Sequence, residues 1–343
     1  MNNRFNQNFD LSDDLEDFNN SNLPRIKITN DKTKNKKKAK KVKKINAAMT
    51  SQADDHNSFQ FTYKASRYEA PWIKASLGKF HEQQWFDDVL RLIRGGKEAS
   101  VYLCKGNQSS KQDYLAAKVY RPRRFRNLRK DHLYREGRER LDESGNVITN
   151  DGMLYAMKKK STYGLQLMHQ SWISHEFETM KILHAAGADI PTPYACDHNA
   201  ILMDYFGAEG MPAPTLNEVD LSISEAEQLF KRVIENVEIM LANRIVHGDL
   251  SAYNILYWEG DLCLIDFPQA ISPDQNHNAY RIFTRDITRI CDYFTHQGVN
   301  CQAVELSQKL WQANAFQFFT PVHPAHLDGD SQDDKDYWNN IRQ

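Results

Sequence analysis

The stretch IVHGDLSAYNILYWEGDLCLIDF, residues Ile245–Phe267, carries the pattern that decides the fold. It contains the spacing H-x-D-x-x-x-x-N, formed by His247, Asp249 and Asn254, and an apolar segment that ends at Asp266. Phosphoryl transfer requires a carboxylate beside the acceptor hydroxyl and oxygen ligands for the Mg²⁺ that bridges the phosphates. Asp249 suits the first role, and Asn254 and Asp266 suit the second. A lone H-x-D indicates an ordinary polar loop, whereas the full spacing between apolar segments favours a kinase-like site.

Two segments upstream fit the other half of such a site. GGKEASVYLC, from Gly95 to Cys104, stands where a loop would cover the phosphates, and LAAKVYR follows it with Lys118. A strand lysine that points into the cleft neutralises the phosphates when an acidic residue on the next helix holds it. Glu176 and Glu178 are the candidates for that acidic residue. GGKEAS alone is weak evidence, since it matches neither the G-x-G-x-x-G nor the G-x-x-x-x-G-K-[ST] loop.

Hydrophobic periodicity predicts a β-rich part that is followed by a helix-rich part with a small hairpin. The predicted helices are Trp85–Ile93, Trp172–Ala186, Ser224–Asn243, Tyr280–Phe294 and Val304–Phe319. The predicted strands are Val101–Cys104, Leu115–Tyr120, Ala200–Tyr205, Ile245–Val246, Ile255–Tyr257 and Leu262–Ile265. Ser222 or Ser224 would cap the third helix. Arg121–Lys160 has no convincing strand, and its length indicates a mobile or functional loop.

Charge is balanced overall but clustered along the chain. The 343 residues include 44 Lys+Arg and 45 Asp+Glu, which gives a formal net charge of −1. The segment DKTKNKKKAKKVKK, residues 31–44, and the arginine-rich loop 121–160 are strongly basic. Blocks of like charge stay unfolded and often contact nucleic acid. We therefore expect a disordered tail at 1–70 and contact with RNA or a pre-ribosome through Lys32–Lys44 and the basic loop, with a merely solubilising tail as the alternative.

Composition excludes several other classes of protein. Five cysteines are scattered without a C-x-x-C pair, so neither a disulfide framework nor a zinc site is indicated. No segment approaches the ~18 apolar residues of a membrane span, and the first residues contain no apolar signal-peptide core. We therefore expect a soluble, cytoplasmic protein without membrane contact.

In combination, these motifs resemble the RIO family of atypical serine/threonine protein kinases, and its first branch in particular. The resemblance covers about residues 86–294 and rests on the segments GKEASVY, AAKVYRP, HEFETMKIL, ILMDYFG, MPAP, VHGDLSAYNIL and LIDFPQA. It implies an α+β, bilobal protein-kinase-like fold with a small β-rich N-lobe and a reduced helical C-lobe. The expected boundaries are 71–205 for the N-lobe with its flexible basic loop, 206–320 for the C-lobe and 321–343 for an acidic tail.

The same resemblance implies a role for each residue of the site. Asp249 would be the catalytic aspartate, while Asn254 and Asp266 would bind Mg²⁺, with Mn²⁺ as an alternative metal. Asp266 would also become a transient phosphoaspartate. Lys118 would contact the ATP phosphates and pair with Glu176. The other implied nucleotide contacts are Lys97, Ser100 and Val101 at the phosphate loop, Met203 as gatekeeper, and the Asp204 carbonyl and Phe206 amide against adenine.

Departures from ordinary protein kinases shape the functional expectation. Gly248 replaces the arginine of the usual HRD, and no APE segment follows Asp266. The remaining chain is too short for a full peptide-binding subdomain. We therefore expect an ATP-dependent kinase that acts on a protein substrate or on itself, with autophosphorylation or ATP hydrolysis favoured. The resemblance implies a role in small ribosomal subunit maturation if the source is a eukaryote or an archaeon. A small-molecule phosphotransferase of the aminoglycoside or choline kinase type and an ATP-switched RNA-binding assembly factor stay open as alternatives.

Overall fold

The computed structural model describes residues 59–96, 98–121, 136–314 and 316. Most of the predicted N-terminal tail, with its lysine tract, lies outside these ranges, as do residues 122–135 of the basic loop and the acidic tail at 321–343. The end of the predicted tail is folded, because Phe59 is buried and helix α1 begins at Glu69.

The N-lobe is built on a five-stranded antiparallel sheet with the strand order β1-β2-β3-β5-β4. The strands are β1 (Phe86–Gly95), β2 (Ala99–Gly106), β3 (Tyr114–Tyr120), β4 (Pro193–Asp197) and β5 (Ala200–Asp204). Lys118 on β3 lies opposite Val101 on β2 and Ile201 on β5. Because β3 is paired with a strand on each side, the backbone at the predicted phosphate-binding lysine is held in place by both neighbours.

The predicted helix at Trp85–Ile93 is wrong, since this segment forms strand β1. Its pairing with β2 shifts register three times between Phe86 and Arg94. Each extra residue at a β-bulge disrupts the two-residue alternation of a strand. Phe86 and Val89 are consequently both buried although they lie three residues apart. The bulged strand thus reproduces the apolar spacing that is typical of a helix.

Two long helices pack against the sheet. Helix α1 (Glu69–Glu82) buries Trp72, Ile73 and Leu77 and contacts four of the five strands. Helix α3 (Thr162–Ala185) begins ten residues before its predicted start, with the Ser161 side chain accepting a hydrogen bond from the Gly164 amide. A third, short helix, α2, lies between β3 and α3 in the sequence.

Helix α2 (Asp151–Lys159) corrects the expectation of an irregular loop at 121–160. The Asn150 side chain caps it by accepting a hydrogen bond from the Met153 amide at 3.1 Å. Ile148, Met157 and Leu167 form a small cluster that packs α2 against α3, separate from the main core. The apolar run in α2, Met153–Met157, is too short to stand out in a segment rich in arginine and lysine.

The C-lobe is helical and carries two small hairpins. Its elements are β6 (Gly207–Ala208), β7 (Met211–Pro212), α4 (Ile223–Ala242), β8 (Ile255–Trp258), β9 (Asp261–Leu264), α5 (Ala279–His296) and α6 (Ala303–Ala313). Ser222, one of the two predicted caps, begins α4 in a reciprocal capping box with Glu225. The predicted strand at Ile245–Val246 is reduced to one bridge between Val246 and Ile271. The last predicted helix ends at Ala313.

One hydrophobic core joins the two lobes. It runs from β3, β5 and α3 through the β8–β9 hairpin to α4, α5 and α6, and includes Ile173, Val233, Leu264 and Phe294. The expected α+β architecture, with a β-rich N-lobe and a helical C-lobe, is confirmed. In the described ranges, no helix combines the length and the apolar composition needed to cross a membrane.

One disulfide forms, although the scattered cysteines indicated no disulfide framework. Cys291 on α5 is bonded to Cys301, with 5.4 Å between their Cα atoms, a separation that a disulfide bridges readily. The turn between α5 and α6 brings the two residues together. Cys104, Cys196 and Cys263 are free thiols.

Candidate active site

A cleft of about 720 Å³ lies between the N-lobe sheet and the β8–β9 hairpin of the C-lobe. This volume is typical of small-molecule and cofactor sites. Nine of the predicted site residues line it: Val101, Lys118, Glu176, Met203, Asp204, Phe206, Asp249, Asn254 and Asp266. The fold thus brings the predicted residues of both lobes into a single cavity.

One predicted nucleotide contact, Ser100, does not join this group. Ser100 is buried on β2, but the cleft is lined by its neighbours Ala99 and Val101. Because successive side chains on a strand point to opposite faces, Ser100 faces away from the cleft. Its hydroxyl instead accepts a hydrogen bond from Arg121 Nη2 at 3.4 Å. Lys97 lies outside the described residues.

Lys118 is the centre of an ion-pair network at the back of the cleft. Its Nζ donates to Glu176 Oε1 at 2.5 Å and to Asp266 Oδ1 at 2.6 Å. Lys118 is 9% exposed and Glu176 is 1% exposed. Burial lowers the pKa of Lys118, but the carboxylates of Asp266 and Glu176 outweigh burial and raise this pKa above its usual value. The lysine therefore stays charged in the cleft.

The orientation of α3 selects Glu176 over Glu178. Two residues along a helix correspond to a rotation of roughly 200°, so Glu178 points to the surface, where it pairs with Lys181 at 3.0 Å. The second Glu176 oxygen, Oε2, accepts a hydrogen bond from the Tyr120 hydroxyl. Burial and the nearby Glu176 raise the pKa of Tyr120, which keeps its hydroxyl protonated as a donor.

The loop after α4 holds Asp249 and Asn254 together. Asn254 Nδ2 donates to the Asp249 carbonyl at 2.8 Å and lies 3.4 Å from Asp249 Oδ2. His247 anchors the loop, because its Nε2 lies 3.2 Å from the Ile265 carbonyl and its Nδ1 accepts from the Asp249 amide at 3.3 Å. This pair of contacts requires the His247 proton on Nε2.

Helix α5 contributes two arginines that the sequence analysis did not identify. Arg289 Nη1 donates to Asp249 Oδ1 at 2.9 Å, and Arg285 Nη2 donates to the Gly248 carbonyl at 2.5 Å. Partial burial raises the pKa of Asp249, Arg289 opposes that rise and Asp286 adds to it. No sequence motif predicts these arginines, because their contacts with Asp249 and Gly248 depend on how α5 packs against the loop.

The absence of an arginine at position 248 has a steric cause. Gly248 has φ +83°, and a Cβ atom built there would lie 2.2 Å from the Gln269 carbonyl oxygen. Any side chain would meet both the unfavourable left-handed backbone and this clash. The loop from His247 to Asn254 can therefore carry no basic residue at position 248 without such a clash.

Asp266 and Asn254 are the residues predicted to hold a metal, and both carry side-chain oxygens at the cleft. Asp266 has φ +75°, a left-handed conformation in which Asp is more common than most residues. Desolvation opposes ionisation of Asp266, but Lys118 lowers its pKa below the usual value. Because Asn254 uses its amide nitrogen on Asp249, its side-chain oxygen is available to a cation.

This donor set fits Mg²⁺ in a nucleotide complex. Within the described ranges, no group of three or more His, Cys, Asp or Glu residues forms a complete metal site. Mg²⁺ prefers oxygen ligands, and it usually takes one or two from the protein and the remainder from phosphates and water. Asp266 and Asn254 match that requirement.

The wall that would face adenine is formed by β5 and the segment after it. The Asp204 amide donates to the Thr192 carbonyl at 3.0 Å, and the Tyr194 hydroxyl donates to the Asp204 carboxylate. These contacts fix the position of Asp204 at the end of β5. The Phe206 carbonyl accepts from the Ala213 amide at 3.1 Å, which holds the MPAP segment against the cleft. Adenine contacts of the Asp204 carbonyl and the Phe206 amide stay predictions.

Comparison with known proteins identifies the family. The family model of the RIO domain matches residues 100–307, which is more than half of the chain. The chain belongs to the RIO domain family. The resemblance inferred from the motifs is thereby confirmed.

Relatives of this RIO domain are found in eukaryotes and archaea. Serine/threonine-protein kinase RIO1 of Caenorhabditis elegans is 27% identical over 208 residues, covering 60% of this chain and 37% of that protein. Human RIO1 is 30% identical over 165 residues, covering 48% of this chain and 28% of that protein. RIO-type serine/threonine-protein kinase Rio1 of Haloferax volcanii is 28% identical over 216 residues, covering 62% of this chain and 66% of that protein. The chain thus spans between about a quarter and two thirds of the length of these relatives.

Among solved structures, the RIO domain is similar to the Rio2 kinase of Chaetomium thermophilum in its ADP/Mg²⁺-phosphoaspartate complex. The TM-score is 0.49 at 19% identity, over 81% of this chain and 79% of that one.

Proposed function

We propose that this RIO domain protein is an ATP- and Mg²⁺-dependent atypical serine/threonine protein kinase that phosphorylates itself, hydrolyses ATP, or does both. The observation that carries the proposal is the convergence of the Lys118–Glu176 ion pair with Asp249, Asn254 and Asp266 in one cleft. These are the residue types that phosphoryl transfer requires: a cation for the phosphates, a carboxylate for the acceptor, and oxygen ligands for the metal.

Each side chain has a defined part in the transfer. Lys118 would contact the phosphates of ATP, with Glu176 holding it extended. Asn254 and Asp266 would hold Mg²⁺, which when bound neutralises charge on the phosphates. Asp249 would accept the proton of the acceptor hydroxyl. The hydroxyl oxygen would bond to the γ-phosphorus while the bond from that phosphorus to ADP breaks. ADP then leaves with its own phosphates.

Asp266 is the second candidate acceptor. Its side chain is 43% exposed and lies 2.6 Å from the lysine that would hold the phosphates. Attack by its carboxylate oxygen on the γ-phosphorus would give an acyl phosphate and ADP. Water would then release inorganic phosphate, and the sum of the two steps is ATP hydrolysis.

The decisive experiment incubates the full chain with γ-labelled ATP and Mg²⁺. We expect label on the protein or release of labelled phosphate. In Asp249→Asn, label on a hydroxyl should be lost and phosphate release should fall, because Asp249 would take the proton from the hydroxyl or from water. Treatment of the labelled protein with acid, base and hydroxylamine separates phosphoserine or phosphothreonine from phosphoaspartate. A chain that binds ATP but neither transfers nor releases phosphate would contradict the proposal and favour an ATP-switched assembly factor. Transfer only to added aminoglycoside or choline would favour a small-molecule phosphotransferase.

The metal-binding role has a separate test. Asp266→Ala should weaken nucleotide binding in the presence of Mg²⁺ more than in its absence, because the variant loses a metal ligand. Equal effects in the two conditions would contradict the ligand role of Asp266. The same titration with Mn²⁺ tests the alternative metal.

Several extensions of the proposal rest on the sequence alone. They are RNA or pre-ribosome contact through Lys32–Lys44 and the basic loop, a role in small ribosomal subunit maturation, and a cytoplasmic location. Deletion of residues 1–50 should reduce the salt dependence of any RNA binding while ATP turnover is unchanged, since lysine contacts to phosphates release counterions.

A further inference from the structure

Helix α5 presents a charged face to the loop from His247 to Asn254, the proposed catalytic loop. Arg285 and Arg289 are separated by one helical turn and therefore lie on the same side of the helix. Arg285 binds the loop backbone at Gly248 and also pairs with Asp286 at 2.9 Å. Arg289 binds the carboxylate of Asp249. One helix thus holds both the backbone and the reactive side chain of the loop.

Asp249 lies near other carboxylates, and its own loop carries no lysine or arginine. The loop from His247 to Asn254 contains no lysine or arginine, and Gly248 cannot be replaced by a larger residue without a clash. Asp266 and the buried Asp286 both act on Asp249 as like charges. Arg289 supplies the opposing charge from a different element.

The contact has the geometry of a specific interaction. Arg289 Nη1 lies 2.9 Å from Asp249 Oδ1, and the two side chains are 25% and 34% exposed. Such a partly desolvated, charge-assisted hydrogen bond is stronger than a bond between neutral groups. The other oxygen, Oδ2, lies 3.4 Å from Asn254 Nδ2. Without Arg289, Asp249 would keep this longer contact and lose the charged one.

We propose that Arg289 is a positioning residue for phosphoryl transfer, which holds Asp249 Oδ1 so that Oδ2 is turned toward the acceptor hydroxyl in the cleft. The assignment rests on the proposed function. In this arrangement, α5 supplies the positive charge beside Asp249, because the loop itself cannot carry a basic residue at position 248. Arg289 acts on the reaction through Asp249 and takes no part in holding the nucleotide.

The test compares three substitutions on α5 in the full chain. Arg289→Met should lower kcat for Mg²⁺-ATP turnover roughly 100-fold, since small displacements of a reacting group have effects of that size. KM for ATP and the affinity for Mg²⁺-ADP should change less than about twofold. Arg289→Lys should give an intermediate kcat, because lysine keeps the charge but not the planar fork. Arg281→Met, at an exposed position of the same helix, is the matched control and should behave as wild type.

A chemical rescue separates positioning from a structural role. Millimolar methylguanidinium should restore part of the lost kcat of Arg289→Ala and should have no effect on Arg281→Ala. Thermal unfolding of each variant checks the fold, and if the Met and Ala variants fail to fold, the kcat of Arg289→Lys decides. A folded Arg289→Met with wild-type kcat, or with kcat and nucleotide affinity reduced together, would overturn the assignment. A wild-type chain without turnover would instead overturn the proposed function and the assignment with it.

Discussion

The two sides of the cleft hold their functional groups in different ways. On the N-lobe side, Lys118 and Glu176 are buried, come from a strand and a long helix, and are joined at 2.5 Å. On the C-lobe side, Asp249 comes from a loop, remains 34% exposed and depends on Arg289 of α5. The first arrangement is rigid and suits binding, whereas the second leaves a carboxylate accessible to an acceptor. Binding and transfer should therefore be separable by mutation.

Removal of Lys118 should have the largest effect. Lys118→Met leaves the carboxylates of Glu176 and Asp266 without their shared cation, and breaking a buried ion pair in this way typically costs about 3–5 kcal/mol of stability. We expect a lower free energy of unfolding in urea together with loss of Mg²⁺-nucleotide binding. Lys79→Met is the control, because Lys79 is 54% exposed in its pair with Asp197 and should contribute about 1 kcal/mol or less. Equal destabilisation by the two substitutions would contradict the rigid character of the N-lobe side.

Neutralisation of Asp249 should affect transfer alone. Asp249→Asn cannot accept the proton of the acceptor, and loss of such a group typically lowers turnover about 10²–10⁴-fold. Steady-state ATP turnover measures the effect, with Asp274→Asn as the control, since Asp274 pairs with Arg244 in an exposed position. Turnover within a few-fold of wild type would remove Asp249 from the chemistry.

Backbone geometry on the C-lobe side can be tested with two glycines. Gly248 and Gly260 have φ +83° and φ +93°, so alanine meets a similar backbone penalty of about 1–2 kcal/mol at either position. A Cβ at 248 would also lie 2.2 Å from the Gln269 carbonyl oxygen, while nothing lies within 4 Å at 260. Gly248→Ala should therefore destabilise the protein by about 1–3 kcal/mol more than Gly260→Ala. Equal unfolding free energies for the two variants would contradict the steric account of position 248.

The smallest expected effect concerns a network that joins the two sides. Asp189, between α3 and β4, accepts two hydrogen bonds from Arg232 and one from Asn236 on α4, and its carbonyl accepts from the Leu264 amide of β9. Desolvation raises the pKa of Asp189, but Arg232 and Asn236 outweigh it and lower this pKa below the usual value.

The sign of the pH dependence follows from this shift. A carboxyl whose pKa is lower in the folded state stabilises the protein above its unfolded pKa, near pH 4, and loses that contribution as the pH falls through the folded value. Wild type should exceed Asp189→Asn in unfolding free energy by about 1 kcal/mol at pH 6, and the difference should shrink at pH 3. A difference that grows on acidification would contradict the network.

The sequence analysis identified the residues of the phosphoryl-transfer motif but not the residues that hold them in place. Asp249, Asn254 and Asp266 lie within one short stretch whose spacing is itself the signal. Arg289, forty residues beyond Asp249, has no such signal, because its role depends on how α5 packs against the loop. Tyr120 likewise looks like an ordinary strand aromatic until the structure places it against Glu176.

Local propensity explains the errors in the fold. Strand β1 was predicted as a helix because its bulges give buried residues a helical spacing. Helix α2 was missed because its apolar run, Met153–Met157, is short and lies within a long segment rich in arginine and lysine. The Cys291–Cys301 pair depends on the turn between two helices, which cysteine spacing does not specify. In contrast, α4 was predictable almost to the residue, since its cap and its apolar stripe are both local features.

The most direct test of the separation between binding and transfer is the affinity of Asp249→Asn for Mg²⁺-ADP, measured by calorimetric titration beside wild type and Lys118→Met. We predict that Asp249→Asn binds within about twofold of wild type although its turnover is lost, because Asp249 acts on the acceptor and not on the nucleotide. Loss of affinity in Asp249→Asn to the level of Lys118→Met would contradict the account.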